Sequence, residues 1–346
     1  MSRTTPSTVP ADAAPVGSRR AWRLPRLVLD LALAWLALSA RAAPLHLDRL
    51  AGGMVLTYQP SFFYGSLCAP LGIVYLWRRK WLRAAVALAV STLFFVTTGF
   101  GGVATEGGTV AVLACNIHDN VAQLPRLAEL VRRTHADILL FQEAHEEARR
   151  AIPAVLSDFV FLHGEAGHVF ETPRQRSFTC LTGIRRSLLA SEEDVSIETA
   201  ITGYRTHAVR ARVAGRELWL VNVHCTKAFW PSWRVVLSLW KGGPNAANHR
   251  GERDRLAAWL EAHRDVPVIV AGDFNAPMGA HNLRLPGMKH AHLAAGSGLH
   301  RTFPASWPLW GIDHTFGNER VRFVSYQTVD TGLSDHRAQV ARLTLE

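Results

Sequence analysis

Chemically versatile side chains follow one apolar, strand-like run after another in the later part of this 346-residue chain. These runs deliver Asn116, Glu143, His224 and, within VIVAGDFN, both Asp273 and Asn275. A hydrophobic strand that ends in such a residue presents it at one edge of a rigid sheet. The pattern therefore predicts that these side chains share one site.

Two more segments, GIDHTF and GLSDHR, add Asp313, His314, Asp335 and His336. One Glu or His after a strand is usually structural, but the repetition of such strand ends within one domain favours a functional role. Oxygen ligands together with histidines are what a hard divalent cation and an attacking water require. The sequence therefore predicts a metal-assisted hydrolytic site.

The elements that must position these residues are short strands alternating with amphipathic helices after residue 105. Hydrophobic periodicity predicts strands over 109–117, 137–142, 178–184, 207–213, 217–224 and 266–271. It predicts helices over 121–134, 144–156 and 251–263. This order favours an α/β layered domain with substantial antiparallel pairing.

Six short motifs occur in order along the chain: N-I, Q-E, N-V-H, G-D-F-N, T-F-P-A followed by I-D-H, and S-D-H. Over about residues 109–345, this ordered set resembles the endonuclease/exonuclease/phosphatase superfamily, which includes deoxyribonuclease I. The resemblance implies a four-layer α/β/β/α sandwich of two sheets flanked by helices. It also implies a metal-dependent hydrolase acting on phosphate ester bonds, as a phosphodiesterase, phosphatase or nuclease.

The resemblance implies a metal site and names its ligands. Glu143, helped by Asn116 and Asp335, is expected to hold Mg²⁺ or Mn²⁺, since carboxylate and amide oxygens suit these cations. The four cysteines of the chain have no paired spacing that indicates a cysteine-built metal site or a disulfide framework.

It also implies a role for each of five catalytic residues. His336 is expected to contact the phosphate or to activate water as a base, with Asp313 fixing its tautomer. Asp273 is expected to orient the attacking water, and Asn275 to donate to a phosphoryl oxygen. His224 is expected to act as a general acid or to stabilise the transition state.

Other polar residues near these motifs receive weaker interpretations. Arg205, and Arg174 and Arg176 in the loop before residue 178, are candidates for binding substrate phosphate. His118 and His314 lie next to site residues in the sequence, and we interpret both as structural residues on the other side of their strands.

The first third of the chain has a membrane-like pattern. Residues 50–77 and 84–105 contain no charged side chain, and both runs are long enough to cross a hydrocarbon core. They flank the basic loop RRKWLR (78–83), which the positive-inside rule places in the cytoplasm. We therefore predict a multi-pass cell-membrane protein with an extracytoplasmic catalytic domain. The alternative is that both runs are core helices of a soluble domain.

A third apolar run, 27–40, is a candidate for a short first span, an interfacial helix or the apolar region of a signal peptide. The predicted organisation is a disordered leader over 1–23, a membrane region with two or three transmembrane helices over 24–104, and the catalytic domain over 105–346. The aromatic segment 229–240 is interpreted either as a membrane-facing flap or as an inserted helix packed on the sandwich.

The charge distribution limits the partners. The formal net charge of +10 is concentrated in residues 1–104, which carry 11 basic and 3 acidic groups, whereas residues 105–346 carry 27 and 25. A domain-wide basic field typical of non-specific nucleic-acid binding is therefore excluded. We expect a phosphate-ester substrate (a nucleic acid, a phospholipid headgroup or a small molecule), a membrane, and no obligate protein partner. The alternative function is a non-catalytic, membrane-bound binding or scaffold module.

Overall fold

A computed structural model describes residues 30–35, 61–97, 108–118, 120–163, 179–198, 201–202, 205–227, 244–278, 280 and 283–346. The strands among these residues form two six-stranded sheets. They are β1 (Val110–Asn116), β2 (Ile138–Ala144), β3 (Phe159–His163), β4 (Thr179–Arg185), β5 (Ser196–Glu198), β6 (His207–Val213), β7 (Arg216–His224), β8 (Val268–Asp273), β9 (Lys289–His290), β10 (Asp313–Gly317), β11 (Val321–Val329) and β12 (Ala338–Leu345). The helices are α1 (Ser61–Trp77), α2 (Trp81–Thr97), α3 (Leu124–Thr134), α4 (Glu146–Val155), α5 (Pro244–Ala262) and α6 (Ala291–Ala295).

Both sheets are mixed, and each has one parallel pair at its centre. The first sheet has the order β11-β12-β1-β2-β4-β3, and the second has the order β5-β6-β7-β8-β10-β9. The parallel pairs are β1 with β2 and β7 with β8, while the other described pairings are antiparallel. Because parallel strands end at the same edge of a sheet, each central pair delivers its last residues to one place.

The sheets pack face to face, with helices on their outer faces. Successive side chains of β1 alternate between two cores, as the period of a strand requires. Val112 faces the second sheet within one apolar cluster, and Leu113 faces α3 and α4 within another. A third cluster packs Leu256 and Leu260 of α5 against the second sheet. The predicted α/β/β/α sandwich agrees with this arrangement of two mixed sheets and flanking helices.

A polar contact joins the two sheets beneath one edge. Gln142 of β2 donates from Nε2 to Asn222 Oδ1 of β7 at 2.7 Å. Asn222 donates from Nδ2 to the carbonyl oxygens of Phe141 and Leu181, at 3.2 Å and 3.1 Å. Buried polar groups are stable in a core when they are hydrogen-bonded in this way. The contact fixes the position of the two sheets relative to each other next to Glu143, the residue after Gln142.

The predicted strands are present in the structure, with ends that differ by a few residues. Helix α5 begins at Pro244, seven residues before the predicted start at Gly251. Strands β3, β5 and β9 to β12, which lie at or next to a sheet edge, were not predicted from the sequence.

The prediction of transmembrane helices is wrong. Among the described residues, α1 and α2 each cover 17 residues, or about 26 Å of helix, at the lower limit for crossing a hydrocarbon core of about 30 Å. Within the described parts of the chain, no helix is both long enough and apolar enough to span a membrane. The predicted multi-pass location in the cell membrane, with an extracytoplasmic catalytic domain, depended on those helices and is therefore wrong as well. The prediction rested on the lack of charged residues in the two runs, which does not set the length of a helix.

Helices α1 and α2 pack against each other through residues of the two uncharged runs. Tyr75 of α1 packs with Ala84 and Ala87 of α2, and Leu33 joins the same cluster. Arg83 donates to Asp30 at 2.6 Å. Several sequence-based predictions lie outside the described residues: Arg174, Arg176, the aromatic segment 229–240, the leader 1–23, and all of the run 27–40 except the helical residues 30–35.

Candidate active site

The predicted site residues meet at one edge of the sandwich. Asn116 and His224 are the last residues of β1 and β7, and Glu143 is the last but one of β2. Asp273 ends β8 and is the register partner of Asp313, which begins the antiparallel strand β10. The first sheet therefore contributes an amide and a carboxylate, and the second sheet contributes an imidazole and two carboxylates.

Asn116 links the two sheets at this edge. Its Nδ2 atom lies 3.2 Å from Glu143 Oε1 and 3.2 Å from Asp273 Oδ2. Its Oδ1 atom accepts the backbone N–H of His118 at 3.1 Å. The amide nitrogen therefore faces the carboxylates, and direct ligation of a cation by Oδ1 requires this amide to turn over. The predicted role of Asn116 as a metal ligand stays a prediction, while its contacts show that it holds two carboxylates together.

The backbone takes a left-handed conformation at three site residues. The φ angles are 48° at His118, 56° at Glu143 and 50° at Asn275. At Glu143 the pairing of β2 with β4 shifts register between Phe141 and Ala144. Such bulges redirect a side chain, and strained backbones of this kind cluster at functional sites. The local backbone thus turns Glu143 toward the site instead of continuing the strand alternation.

His336 and Asp313 form a buried pair. His336 Nδ1 lies 3.0 Å from Oδ1 and 2.9 Å from Oδ2 of Asp313, and its Nε2 lies 3.9 Å from Asp273 Oδ2. Burial alone lowers the pKa of His336, but the charges of Asp313 and Asp273 and the hydrogen bond to Asp313 outweigh it and raise that pKa to about 10. The imidazole is therefore cationic at neutral pH.

Asp273 is fully buried among other acidic groups. Burial and the charge of Asp313 raise its pKa to about 7, although His336 and the backbone N–H of Asn275 act in the opposite direction. That N–H donates to Asp273 Oδ1 at 2.8 Å. Asn275 also donates from Nδ2 to the Cys225 carbonyl oxygen at 2.8 Å, which commits one of its two amide hydrogens.

His224 lies between the carboxylates of the two sheets. Its Nε2 atom is 3.5 Å from Glu143 Oε1 and 3.9 Å from Asp273 Oδ2. Burial lowers its pKa to about 3, so the ring is neutral at physiological pH. Its buried Nδ1 atom has no hydrogen-bond partner among the described residues. This geometry suits a neutral hydrogen-bond donor better than a general acid.

The donor set fits a hard divalent cation. Ligand atoms of Glu143, His224 and Asp273 lie within 4.8 Å of one another, as do those of Asp273, Asp313 and His336. Burial raises the pKa of Glu143, but His224, the Asn116 hydrogen bond and Lys227 outweigh it and lower that pKa overall. The ionised Glu143 faces the buried Asp273, a second carboxylate that a cation can bind once it loses its proton.

Two basic residues act electrostatically on the site. The positive charges of Arg205 and Lys227 both lower the pKa of His224, and Lys227 also lowers the pKa values of Glu143 and Asp273. Lys227 was not predicted from the sequence, although it follows His224, the last residue of β7, by three residues. A lysine within a few residues of the end of a strand that carries a site residue is the signal that could have found it.

His118 and His314, both interpreted as structural, have different positions in the structure. His118 Nδ1 lies 3.3 Å from Glu143 Oε2 and 3.8 Å from Asp335 Oδ1, at the site. His314 is buried away from the carboxylates, where its Nε2 donates to the carbonyl oxygen of Ala276 at 2.8 Å. The sequence alone could not separate them, because each simply adjoins a site residue.

A second cluster of buried histidines lies behind the site. Ring nitrogens of His290, His300 and His314 lie within 4.8 Å of one another. His290 Nδ1 accepts the backbone N–H of His292 at 3.1 Å, so its Nε2 carries the hydrogen and donates to His314 Nδ1 at 2.9 Å. These bonds fix both tautomers and place a proton, not a free lone pair, on His290 Nε2. The arrangement is that of a neutral hydrogen-bonded network.

This network holds the backbone of two site segments. His300 Nε2 donates to the carbonyl oxygen of Asp313 at 2.7 Å. His314 holds the carbonyl oxygen of Ala276, the residue after Asn275. The cluster thus supports the strand that carries Asp313 and the turn that carries Asn275.

Comparisons with known proteins give a family and a fold. The model of the Endonuclease/Exonuclease/phosphatase family matches residues 100–336. A comparison with curated proteins finds no match. An endonuclease/exonuclease/phosphatase from Bacteroides vulgatus is 18% identical with a TM-score of 0.53, and the match covers 68% of this chain and 99% of that one.

Two further solved structures are similar to the same extent. A mannosyl-6-phosphatase from Bacteroides thetaiotaomicron VPI-5482 is 14% identical with a TM-score of 0.51, and the match covers 68% of this chain and 100% of that one. An endonuclease/exonuclease/phosphatase family protein from Leptotrichia buccalis C-1013-b is 13% identical with a TM-score of 0.51 and the same coverage, 68% and 100%. At these identities the similarity shows the fold.

Proposed function

This chain belongs to the endonuclease/exonuclease/phosphatase family, and from that premise we propose that it hydrolyses a phosphate ester with the help of Mg²⁺ or Mn²⁺. The observation that carries the proposal is the meeting of Glu143, Asp273 and His336 in one pocket. His224 Nε2 lies 3.5 Å from Glu143 Oε1, and His336 Nε2 lies 3.9 Å from Asp273 Oδ2. Oxygen ligands, a proton acceptor and a fixed cation are the groups that in-line attack of water on phosphorus requires.

Glu143 is the central residue for holding the cation. It is buried, its pKa is lowered, and it contacts Asn116; His118 Nδ1 approaches both Glu143 Oε2, at 3.3 Å, and the half-exposed Asp335 Oδ1, at 3.8 Å. A bound Mg²⁺ or Mn²⁺ would neutralise charge on the phosphoryl oxygens. Glu143 and Asp335 would hold the cation, and Asn116 would hold Glu143 and Asp273 in position through hydrogen bonds to both carboxylates.

Asp273 is suited to orient the attacking water and to take its proton. A general base works best when its pKa lies near the working pH, and the pKa of Asp273 is raised to about 7. The backbone N–H of Asn275 fixes one oxygen of this carboxylate. The other oxygen, Oδ2, faces Asn116, His224 and His336 across the pocket.

His336 is suited to bind the phosphate as a cation. With its pKa raised to about 10, it donates from Nε2 and does not serve as a base at neutral pH. Asp313 holds Nδ1 and so directs Nε2 into the pocket. His224, which is neutral, supports the transition state as a hydrogen-bond donor, and the charges of Arg205 and Lys227 favour an anionic substrate.

The substrate class remains a phosphate ester: a nucleic acid, a phospholipid headgroup or a small molecule. The test is to assay the purified full chain with Mg²⁺ and with Mn²⁺. The substrates are bis-p-nitrophenyl phosphate, p-nitrophenyl phosphate, plasmid DNA, sphingomyelin and phosphoinositides. We expect hydrolysis of at least one, abolished by a chelator and by Asp273→Asn.

The matched control is Asp265→Asn, which makes the same change in the exposed turn before β8, at the other end of that strand. It should retain activity. Activity that survives both the chelator and Asp273→Asn would contradict the proposed mechanism. A wild-type chain that is inactive on all these substrates would favour the non-catalytic binding module.

A further inference from the structure

His118 lies at the open side of the candidate active site. Its side chain is 64% exposed and that of Asp335 is 46% exposed, whereas that of Glu143 is only 8% exposed. His224, Asp273 and His336 are buried behind them. A cation that enters from solvent therefore meets His118 and Asp335 before it reaches the buried groups.

The two oxygens of Glu143 face different neighbours. Oε1 faces inward, 3.2 Å from Asn116 Nδ2 and 3.5 Å from His224 Nε2. Oε2 faces His118, whose Nδ1 lies 3.3 Å away and is also 3.8 Å from Asp335 Oδ1. Adjacent ligands of an octahedral ion with bonds of about 2.1 Å are about 3 Å apart. The separation of His118 Nδ1 from Glu143 Oε2 is close to that spacing.

The backbone holds His118 in this position. Its φ angle of 48° is uncommon for a residue with a side chain, and such conformations persist only where the surroundings determine them. Here the backbone N–H of His118 donates to Asn116 Oδ1, the same amide that holds Glu143 and Asp273. The position of the imidazole is thus coupled to that of the carboxylates.

We propose that His118 supplies an imidazole ligand to the cation held by Glu143 and Asp335, and that it shifts the preference of the site from Mg²⁺ toward Mn²⁺. This inference rests on the proposed function, because it concerns the same cation. Mg²⁺ prefers an all-oxygen environment, whereas imidazole nitrogen favours first-row transition metals. Neutral histidine can bind through Nδ1 while Nε2 keeps its hydrogen toward solvent.

The experiment measures cation binding by the full chain, without substrate. Free Mn²⁺ is followed by electron paramagnetic resonance, and Mg²⁺ affinity is obtained by competition. Electron spin-echo modulation then reports whether an imidazole nitrogen couples to bound Mn²⁺. In His118→Asn we expect the nitrogen coupling to disappear and the Mn²⁺ dissociation constant to rise at least about tenfold. Mg²⁺ affinity should change less than about threefold, because Mg²⁺ gains little from a nitrogen ligand.

The matched control is His135→Asn. His135 directly follows α3 and has a φ of 51°, close to the 48° of His118, and asparagine tolerates this left-handed conformation well. The control should bind both cations as the wild type does, and His118→Gly provides a second variant suited to the same backbone. Circular dichroism verifies that each variant is folded.

The outcomes separate this inference from the proposed function. If the wild type binds Mn²⁺ and both His118 variants keep the nitrogen coupling and the ratio of Mn²⁺ to Mg²⁺ affinity, His118 is not a ligand and the inference fails. Unchanged nitrogen coupling and unchanged cation affinities, together with a loss of activity, would indicate that His118 donates a proton to the leaving group instead. If the wild type binds neither cation, the proposed metal-dependent hydrolysis itself fails.

Discussion

His336 Nδ1 lies 2.9 Å from Asp313 Oδ2, and both side chains are buried beside Asp273. The pair spans the gap between the loop before β12 and the start of β10, 23 residues apart. Because Asp313 accepts from Nδ1, the Nε2 atom of His336 points into the pocket, 3.9 Å from Asp273 Oδ2. The charge of His336 and the direction of its donor therefore depend on Asp313.

Asp313→Asn should alter both the charge and the orientation of His336. Loss of the carboxylate should lower the pKa of His336 from about 10 toward its ordinary value near 6.5. If cationic His336 binds phosphate, variant activity should fall as pH rises through about 7, whereas the wild type should keep this contribution until pH approaches 10. We expect kcat to fall by roughly 100- to 10,000-fold, as when a histidine loses its orienting carboxylate. A pH–rate profile measures this, and an unchanged profile would contradict it.

Cation binding should strengthen as pH rises toward 7. The pKa of Asp273 is raised to about 7 in the cation-free protein, so a proton and a cation compete for the same negative pocket. Below pH 7 the Mn²⁺ affinity should rise by up to about tenfold per pH unit and then level off. Calorimetry in buffers of different ionisation enthalpy should detect the released proton. Asp273→Asn should abolish both effects, and a proton release that persists in this variant would count against the assignment.

His224 should act as a neutral donor. Its pKa is lowered to about 3 by burial, so at neutral pH it lacks the second ring proton that a general acid would transfer. His224→Ala should reduce kcat by about 100-fold or more, whereas His224→Gln, which keeps an N–H donor, should retain most of the activity. Equal losses in both variants, together with a lost basic limb in the pH–rate profile, would indicate a general acid instead.

The fold should lose stability in mild acid. Burial lowers the pKa values of several histidines, so the unfolded chain takes up protons that the folded chain does not. The groups concerned are His207 and His224, both lowered to about 3, His249 and His314, both lowered to about 4, and His290 and His300, both lowered well below 6.5.

The direction in which the unfolding free energy changes with pH follows from proton binding. Each depressed pKa removes stability as pH falls from about 6.5 toward the folded value, by up to about 1.4 kcal/mol per pH unit. Asp273, whose pKa is raised, opposes this between pH 3.8 and 7 but contributes only one proton. Urea unfolding at pH 5 and pH 7 should therefore show a clearly lower midpoint at pH 5. Equal midpoints would mean that these rings are not held neutral.

Gly272 should be intolerant of any side chain. Its φ angle is 143°, and a Cβ atom built there would lie 2.0 Å from the carbonyl oxygen of Val223 and 3.0 Å from Gln142 Nε2. Gly272→Ala should cost at least about 3 kcal/mol of unfolding free energy and displace Asp273. Gly215→Ala is the control, since Gly215 has a φ of 79° with nothing within 4 Å, and should cost only about 1 kcal/mol. Chemical denaturation of both variants checks the difference.

Much of the site could be predicted because its signals are local. A run such as VIVAGDFN combines a buried strand with a polar end, and such an end must lie at a sheet edge whatever the rest of the fold. The same reasoning found Asn116, Glu143 and His224. The prediction of membrane spans over 50–77 and 84–105 rested instead on the absence of charged residues, which does not set the length of a helix; α1 and α2 each cover 17 of the described residues.

The sequence by itself determined which residues end the strands, the family, and the chemical types available for catalysis. Only the tertiary structure decided that His118 lies 3.3 Å from Glu143 while His314 joins a buried network, and that His336 is cationic while His224 is neutral. The physical reason is that hydrophobic periodicity is encoded over a few neighbouring residues. A side chain's direction and charge instead depend on left-handed backbone turns and on carboxylates that lie far away in the sequence and approach in the folded structure.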